Sequence, residues 1–285
     1  MSDATSPLAG TEVHSLRSEH VGDDFKIFVG HCGRSTDRAL PVLYLTDANG
    51  FFGATVDAVR SMQLSRLLPP LLVVGIGYPR GTLADTVDLR ARDLTPTTDD
   101  AFARVYPSDT GTGGASRFLA FIRDELMPWV ASNYRIDAHD ATYFGHSLGG
   151  LFGTYAMLTE PTTFTRYIVA SPSYWWDRET IFRLEDEYAA TNDDLPARAF
   201  FGIGADEDHA GRITEATNMP DAERAIAQKY SFDMVEQMQR FVARVTSRGY
   251  RNLDATTRVF ADEFHCTVAP LVLSRGLRSL FDAPA

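Results

Sequence analysis

Short apolar runs alternate with longer stretches of helical period along most of this chain. Val42–Thr46, Leu71–Ile76, Ala141–Phe144, Arg166–Ala170, Ala199–Ile203 and Thr256–Phe260 are rich in Val, Ile, Leu, Phe or Tyr. Runs of this length and composition predict strands. Between them, Ser116–Asn133 sets Phe118, Phe121, Ile122, Leu126 and Trp129 on one face, and Asp221–Ser247 spaces Met234, Met238, Phe241 and Val245 at threes and fours. Both patterns predict helices, the second the longest in the chain. Ahead of the alternation, Glu12–Ser18 and Asp24–His31 predict an antiparallel strand pair at a sheet edge. Continuous apolar strands alternating with helices imply an α/β fold whose mostly parallel sheet is covered on both faces. Ligands bind such sheets at the carboxyl ends of the strands, so chemistry is sought just after each strand.

Two segments depart from the alternation, 80–114 and 205–220. Each is long enough to be a functional loop bordering a site, and each is equally compatible with a plain surface excursion. With no repeat, low-complexity block or long linker, residues 1–285 read as a single domain.

Composition narrows the function classes. Acids outnumber bases 38 to 27, a net charge of −11. That disfavours a binder of nucleic-acid phosphates and adsorption to anionic membranes. No apolar run is long enough for a membrane span, and the polar first twenty residues lack the basic start and apolar centre of a secretory leader, so a cytoplasmic location is expected. Two cysteines, Cys32 and Cys266, make no disulfide framework; two reduced thiols are expected, with Cys266 a small buried residue beside His265.

The candidate chemistry centres on Gly145-His146-Ser147-Leu148-Gly149-Gly150, which lies between a strand-like ATYF and a helix-like LFGTYAML. A G-x-S-x-G in that setting is a nucleophile elbow: small neighbours let the chain turn tightly and leave the serine exposed at a helix N-terminus. There the free N–H groups and the dipole favour developing negative charge, with the Leu148 N–H as one oxyanion donor. A serine hydroxyl needs a base, expected late in the chain. His265, after the strand ending at Phe260, fits better than His209; His146 packs beside the serine rather than serving it. The acid is sought after the strand ending at Ile203, where Asp206, Glu207 and Asp208 stand side by side; Glu207 is preferred and Asp206 second. A second oxyanion donor is expected in the turn Asp47-Ala48-Asn49-Gly50, at the Asn49 N–H. Aromatics that follow strands, Phe51, Tyr78, Trp175 and Trp176, suit an apolar substrate pocket, with core packing as the alternative for each. The acidic run 206–209 also has the residue types of a metal site, though acidic loops are more often solvated; no metal is expected.

Several stretches together resemble one family. The elbow, LTDANGFF at Leu45–Phe52, RDLTPT at Arg92–Thr97, GGASRFLAFIRDELMPWV at Gly113–Val130, SPSYWW at Ser171–Trp176, and the FADEFHCTVAP and GLRSLF endings look like the putative-esterase branch of α/β-hydrolases. Within that branch the likeness is strongest to trilactone siderophore esterases. The resemblance spans nearly the whole chain from Phe25 and implies an α/β-hydrolase fold. It implies carboxylic-ester hydrolysis through an acyl-enzyme on Ser147, without cofactor, on a small-molecule ester: siderophore-like, lactone, or small aryl or alkyl. Some relatives work with a Ser–His pair and no clear acid, which leaves the Glu207 assignment open. Acyl transfer to an alcohol at the same site and a non-catalytic scaffold remain alternative readings; the intact Ser147 and His265 argue against the scaffold.

Overall fold

A computed structural model of the chain describes residues 8–33, 38–105, 108–217, 224 and 233–281. The strands are β1 (Thr11–Arg17), β2 (Asp24–Cys32), β3 (Leu40–Leu45), β4 (Leu71–Gly77), β5 (Ile136–His146), β6 (Arg166–Ala170), β7 (Asp194–Gly204) and β8 (Arg251–Phe260). They form one sheet in the order β1-β2-β4-β3-β5-β6-β7-β8. β1 and β2 run antiparallel to their neighbours, and every pairing from β4 through β8 is parallel. This is the mostly parallel sheet with an N-terminal antiparallel pair that the strand pattern predicted.

The helices are α1 (Ala48–Leu64), α2 (Val87–Leu94), α3 (Asp100–Val105), α4 (Ala115–Phe121), α5 (Met127–Asn133), α6 (Leu148–Thr159), α7 (Thr180–Ala189), α8 (His209–Ala216), α9 (Met234–Ser247) and α10 (Ala269–Phe281). Strand periodicity explains why helices cover both faces. Val42 and Tyr44 of β3 enter one buried cluster with Leu72, Val74, Phe152 and Phe241, while Leu43 and Leu45 enter another with Val73, Phe144, Val56 and Val272. Successive side chains on a strand point to opposite faces, so each central strand feeds two cores. Helices α1 and α10 close the second core; the first is closed by α2, α4, α6, α7 and α9.

Two helical expectations are modified. The 116–133 helix is interrupted by a π-helical turn over Ile122–Leu126, where the Met127 N–H reaches back to the Ile122 carbonyl. Pro128 has no N–H and its ring crowds the carbonyl four residues back, so the ladder widens just before it. The helix ending at Ser247 begins at Met234, because Asp233 caps it by accepting from the Glu236 N–H at 2.8 Å. Residues 221–223 and 225–232 of that expectation lie outside the described residues. Segment 80–114 contains α2, α3 and a 3₁₀ turn at Leu83–Thr86, and 205–217 contains a 3₁₀ turn at Ala205–Glu207 and α8. Among the described residues no helix is long and apolar enough to cross a membrane.

Candidate active site

Ser147 sits between β5 and α6 with φ 61° and ψ −118°. A non-glycine residue held there is strained by roughly 1–3 kcal/mol and persists only where its surroundings over-determine it. Those surroundings are visible: the Ser147 N–H donates to the Ala170 carbonyl at 3.0 Å, and its carbonyl accepts from Leu151 N–H at 3.0 Å and Ser173 N–H at 3.1 Å. Gly145 is required by the tightness of the bend, since a Cβ there would lie 2.3 Å from the Gly149 carbonyl oxygen. The serine remains half-buried, and its hydroxyl pairs with the buried Ser173 hydroxyl at 3.2 Å. Among the described residues no hydrogen bond joins Ser147 to His265.

Glu207 is the carboxylate that turns inward. It is fully buried; its Oε2 meets His265 Nδ1 at 2.6 Å, and its Oε1 accepts from the Ser171 hydroxyl at 2.6 Å and the Gly204 N–H at 2.8 Å. Burial pushes its pKa up, but the His265 imidazole, by charge and hydrogen bond, together with the Ser171 and Gly204 donors, outweighs burial. The carboxyl is held below the usual range. Of its neighbours, Asp208 caps the next helix by accepting from Gly211 N–H at 2.7 Å, and His209 is exposed at the start of α8. The 206–209 run therefore does not converge, and among the described residues no group of three potential metal-ligating side chains gathers.

The loop after β8 is locked to the loop after β7. Asp206 N–H donates to the Glu263 carbonyl at 3.1 Å, and a Cβ on Gly204 would lie 2.1 Å from that oxygen, so only glycine permits the approach. On its other side, the His265 carbonyl contacts His146 Nε2 at 2.8 Å, and the two imidazole rings pack at a tilt of 42° with centroids 4.5 Å apart. His146 thus packs beside the serine, as expected, and also fixes the loop that carries His265 next to the elbow. Phe51 meets His146 edge-on at 5.5 Å.

The turn after β3 abuts the elbow because β3 and β5 pair in parallel, Leu45 opposite Phe144. The Tyr143 hydroxyl donates to the Gly149 carbonyl at 2.8 Å and lies 3.1 Å from Thr46 Oγ1, stitching the two turns together. Asp47 precedes α1 in the left-handed region at φ 57°, and its buried carboxylate takes both arms of Arg90 at 2.8 Å each. Asn49 and Leu148 lie in the first turns of α1 and α6, where backbone N–H groups have no acceptor within the helix. The Asn49 side chain is spent on structure: Oδ1 accepts from Tyr78 N–H at 2.8 Å, and Nδ2 donates to the carbonyls of Tyr78, Arg80 and Gly81.

Burial revises three expectations. Tyr78 and Trp176, taken for pocket lining, are 3% and 0% exposed and belong to the core. Tyr78 packs on Phe25, and Trp176 packs on Phe102 and donates its indole N–H to the Thr97 carbonyl at 3.0 Å. Residues that follow Tyr78 in the chain account for this: Asp93 hydrogen-bonds the Tyr78 side chain, and Thr97 and Phe102 lie against Trp176. Phe51 and Trp175 remain half-buried. Among the described residues the cysteines form no disulfide; Cys266 is exposed rather than buried, and Cys32 is buried. Sequence reasoning missed Ser171 and Ser173; the small polar residues of SPS directly after a strand were the available signal.

A family model described as "Putative esterase" matches residues 18–252. The chain belongs to that family. It is a carboxylic ester hydrolase of the α/β-hydrolase fold. This esterase is 32% identical to ferri-bacillibactin esterase BesA of Bacillus subtilis, over 95% of this chain and 89% of that one. It is 30% identical to the siderophore triacetylfusarinine C esterase of Aspergillus fumigatus, over 85% and 82%. The crystal structure of the BES protein from Bacillus cereus superposes with a TM-score of 0.77 at 25% identity, covering 98% of this chain and 97% of that one. Siderophore hydrolase EstA from Aspergillus nidulans, at 23% identity, shares the fold with a TM-score of 0.80 over 99% of each chain.

Proposed function

We propose that the esterase hydrolyses siderophore-like carboxylic esters through an acyl-enzyme on Ser147. The observation that carries the mechanism is the buried Glu207 carboxylate on His265 Nδ1, 2.6 Å away, beside a serine held in elbow geometry. With Nδ1 occupied, Nε2 is the nitrogen left to take the Ser147 proton, and catalytic hydrogen bonds of this kind often form only when substrate is bound. Ser147 Oγ then attacks the ester carbonyl, whose electron pair moves onto oxygen and is held by the Leu148 and Asn49 N–H groups. Collapse re-forms the carbonyl and expels the alcohol, which takes the proton from His265. Water activated by His265 releases the acid by the same sequence. The half-buried Phe51 and Trp175 are the proposed apolar contacts for the substrate. The substrate class rests on the similarity, over most of the chain, to proteins named as siderophore esterases.

The test is hydrolysis of a siderophore trilactone followed by chromatography, with Ser147→Ala and His265→Ala as controls. Release of the linear acid by the wild type and its loss in both variants is the expected result. Turnover of p-nitrophenyl esters with no action on the trilactone contradicts the substrate class; turnover surviving in Ser147→Ala contradicts the mechanism.

A further inference from the structure

Ser171-Pro172-Ser173 follows β6, and its two serines reach opposite ends of the catalytic set. Ser171, at φ 43°, sends its hydroxyl to Glu207 at 2.6 Å, while the Ser173 hydroxyl lies 3.2 Å from Ser147 Oγ. Ser173 is only 1% exposed, and among the described residues Ser147 Oγ is the one partner of its hydroxyl. Either oxygen could in principle be the donor. Burial decides between them, because a buried O–H without an acceptor loses its hydration for nothing. If Ser147 donated, the Ser173 proton would be stranded. If Ser173 donates, its proton is satisfied and the half-exposed Ser147 keeps its own proton for His265.

We propose that Ser173 is a further catalytic residue, a fixed hydrogen-bond donor to Ser147 Oγ that steadies the negative charge gathering on that atom. The proposal rests on the reading of Ser147 as nucleophile. As His265 Nε2 takes the Ser147 proton, the Oγ lone pair bonds to the carbonyl carbon and the carbonyl π pair moves to oxygen; Ser173 retains its proton throughout. In deacylation the same Oγ leaves as an incipient alkoxide and recovers a proton from His265, again facing the Ser173 donor. Between these steps Oγ is an ester oxygen, a weaker acceptor. The contact is therefore strongest when charge is greatest, the condition for lowering a barrier rather than merely binding. Its placement does not depend on the side chain, because the Ser173 N–H independently holds the Ser147 carbonyl at 3.1 Å.

The test is the pseudo-first-order rate constant of labelling by a fluorophosphonate, in which the Oγ–P bond forms and fluoride departs. The rate constant reports the nucleophile, the amplitude counts folded protein, and peptide mapping locates the adduct. Ser173→Ala is expected to label about 10- to 100-fold more slowly, the span of a hydrogen bond to a charged group. Ser173→Thr, which keeps the hydroxyl, should recover most of that rate. Labelling of Ser173→Ala at the wild-type rate overturns the proposal, and so does equal slowing in the Ala and Thr variants. A wild-type adduct on any residue other than Ser147 instead overturns the nucleophile assignment beneath it.

Discussion

Glu207→Gln is nearly isosteric, so its cost reports hydrogen-bond direction rather than volume. In the native site all three contacts on Glu207 are donors to the carboxylate: His265 Nδ1, the Ser171 hydroxyl and the Gly204 N–H. A glutamine offers one accepting oxygen and one donating NH₂, and must choose. The Gly204 N–H cannot reverse its role, and leaving it buried against an NH₂ costs about 1–3 kcal/mol. Ser171 can rotate and His265 can change tautomer. The favoured arrangement therefore puts the glutamine oxygen on Gly204 and its NH₂ on Nδ1. That contact requires Nδ1 to carry no proton, so the neutral imidazole protonates at Nε2, the nitrogen that must receive the Ser147 proton. Holding the base in the wrong tautomer in this way costs about 10³- to 10⁴-fold in kcat, or ~4–5.5 kcal/mol of barrier. KM should change little, since Glu207 is fully buried. Steady-state kinetics on a p-nitrophenyl ester, with a urea midpoint confirming folding, measure it. A folded Glu207→Gln within tenfold of wild-type kcat would refute the reasoning, because it would show that the tautomer of His265 does not limit the reaction.

The same carboxylate carries a pH signature. Its folded pKa is depressed, so the stability it contributes is present above the ordinary carboxylate value of about 4.3 and is lost as pH falls through the lower folded value. Urea midpoints should thus fall less steeply below about pH 4.3 in Glu207→Gln than in the wild type; parallel curves would contradict the shift. Arg90→Ala strands the Asp47 carboxylate, 1% exposed, and is expected to cost about 3–5 kcal/mol in urea unfolding, with activity falling further as the turn carrying Asn49 relaxes. Gly145→Ala forces a methyl onto the Gly149 carbonyl; stability should drop by about 1–3 kcal/mol and Ser147 should lose its reactivity, and a fully active variant would mean that the elbow tolerates widening.

Elements whose identity depends on local pattern were legible along the chain, and contacts that depend on two distant loops were not. Arg166–Ala170 is a strand to the residue, because an apolar run is bounded by turn formers on both sides. By contrast β5 starts at Ile136 rather than Ala141: Asp137, His139 and Asp140 look unlike a buried strand, and this end is exposed while only Ala141–His146 is inside. The elbow could be read because its glycines, strand and helix are contiguous. Glu207 could only be narrowed to three neighbours, since what separates it from Asp206 and Asp208 is which side of a short 3₁₀ turn faces Gly204 and Ser171. Tyr78 and Trp176 were misplaced because their own flanking residues do not reveal that Asp93 meets the one and Thr97 and Phe102 meet the other. The SPS run marked Ser173 only as a small polar residue after a strand; its meeting with Ser147 depends on the left-handed bend at Ser171.

The most direct test of the central claim is rapid mixing with a p-nitrophenyl ester, combined with mass spectrometry of the acid-quenched protein. The account predicts a burst of one p-nitrophenol per active chain and an acyl group on the peptide bearing Ser147, both absent in Ser147→Ala. An acyl group carried by a different residue, or full steady turnover in Ser147→Ala, would contradict it.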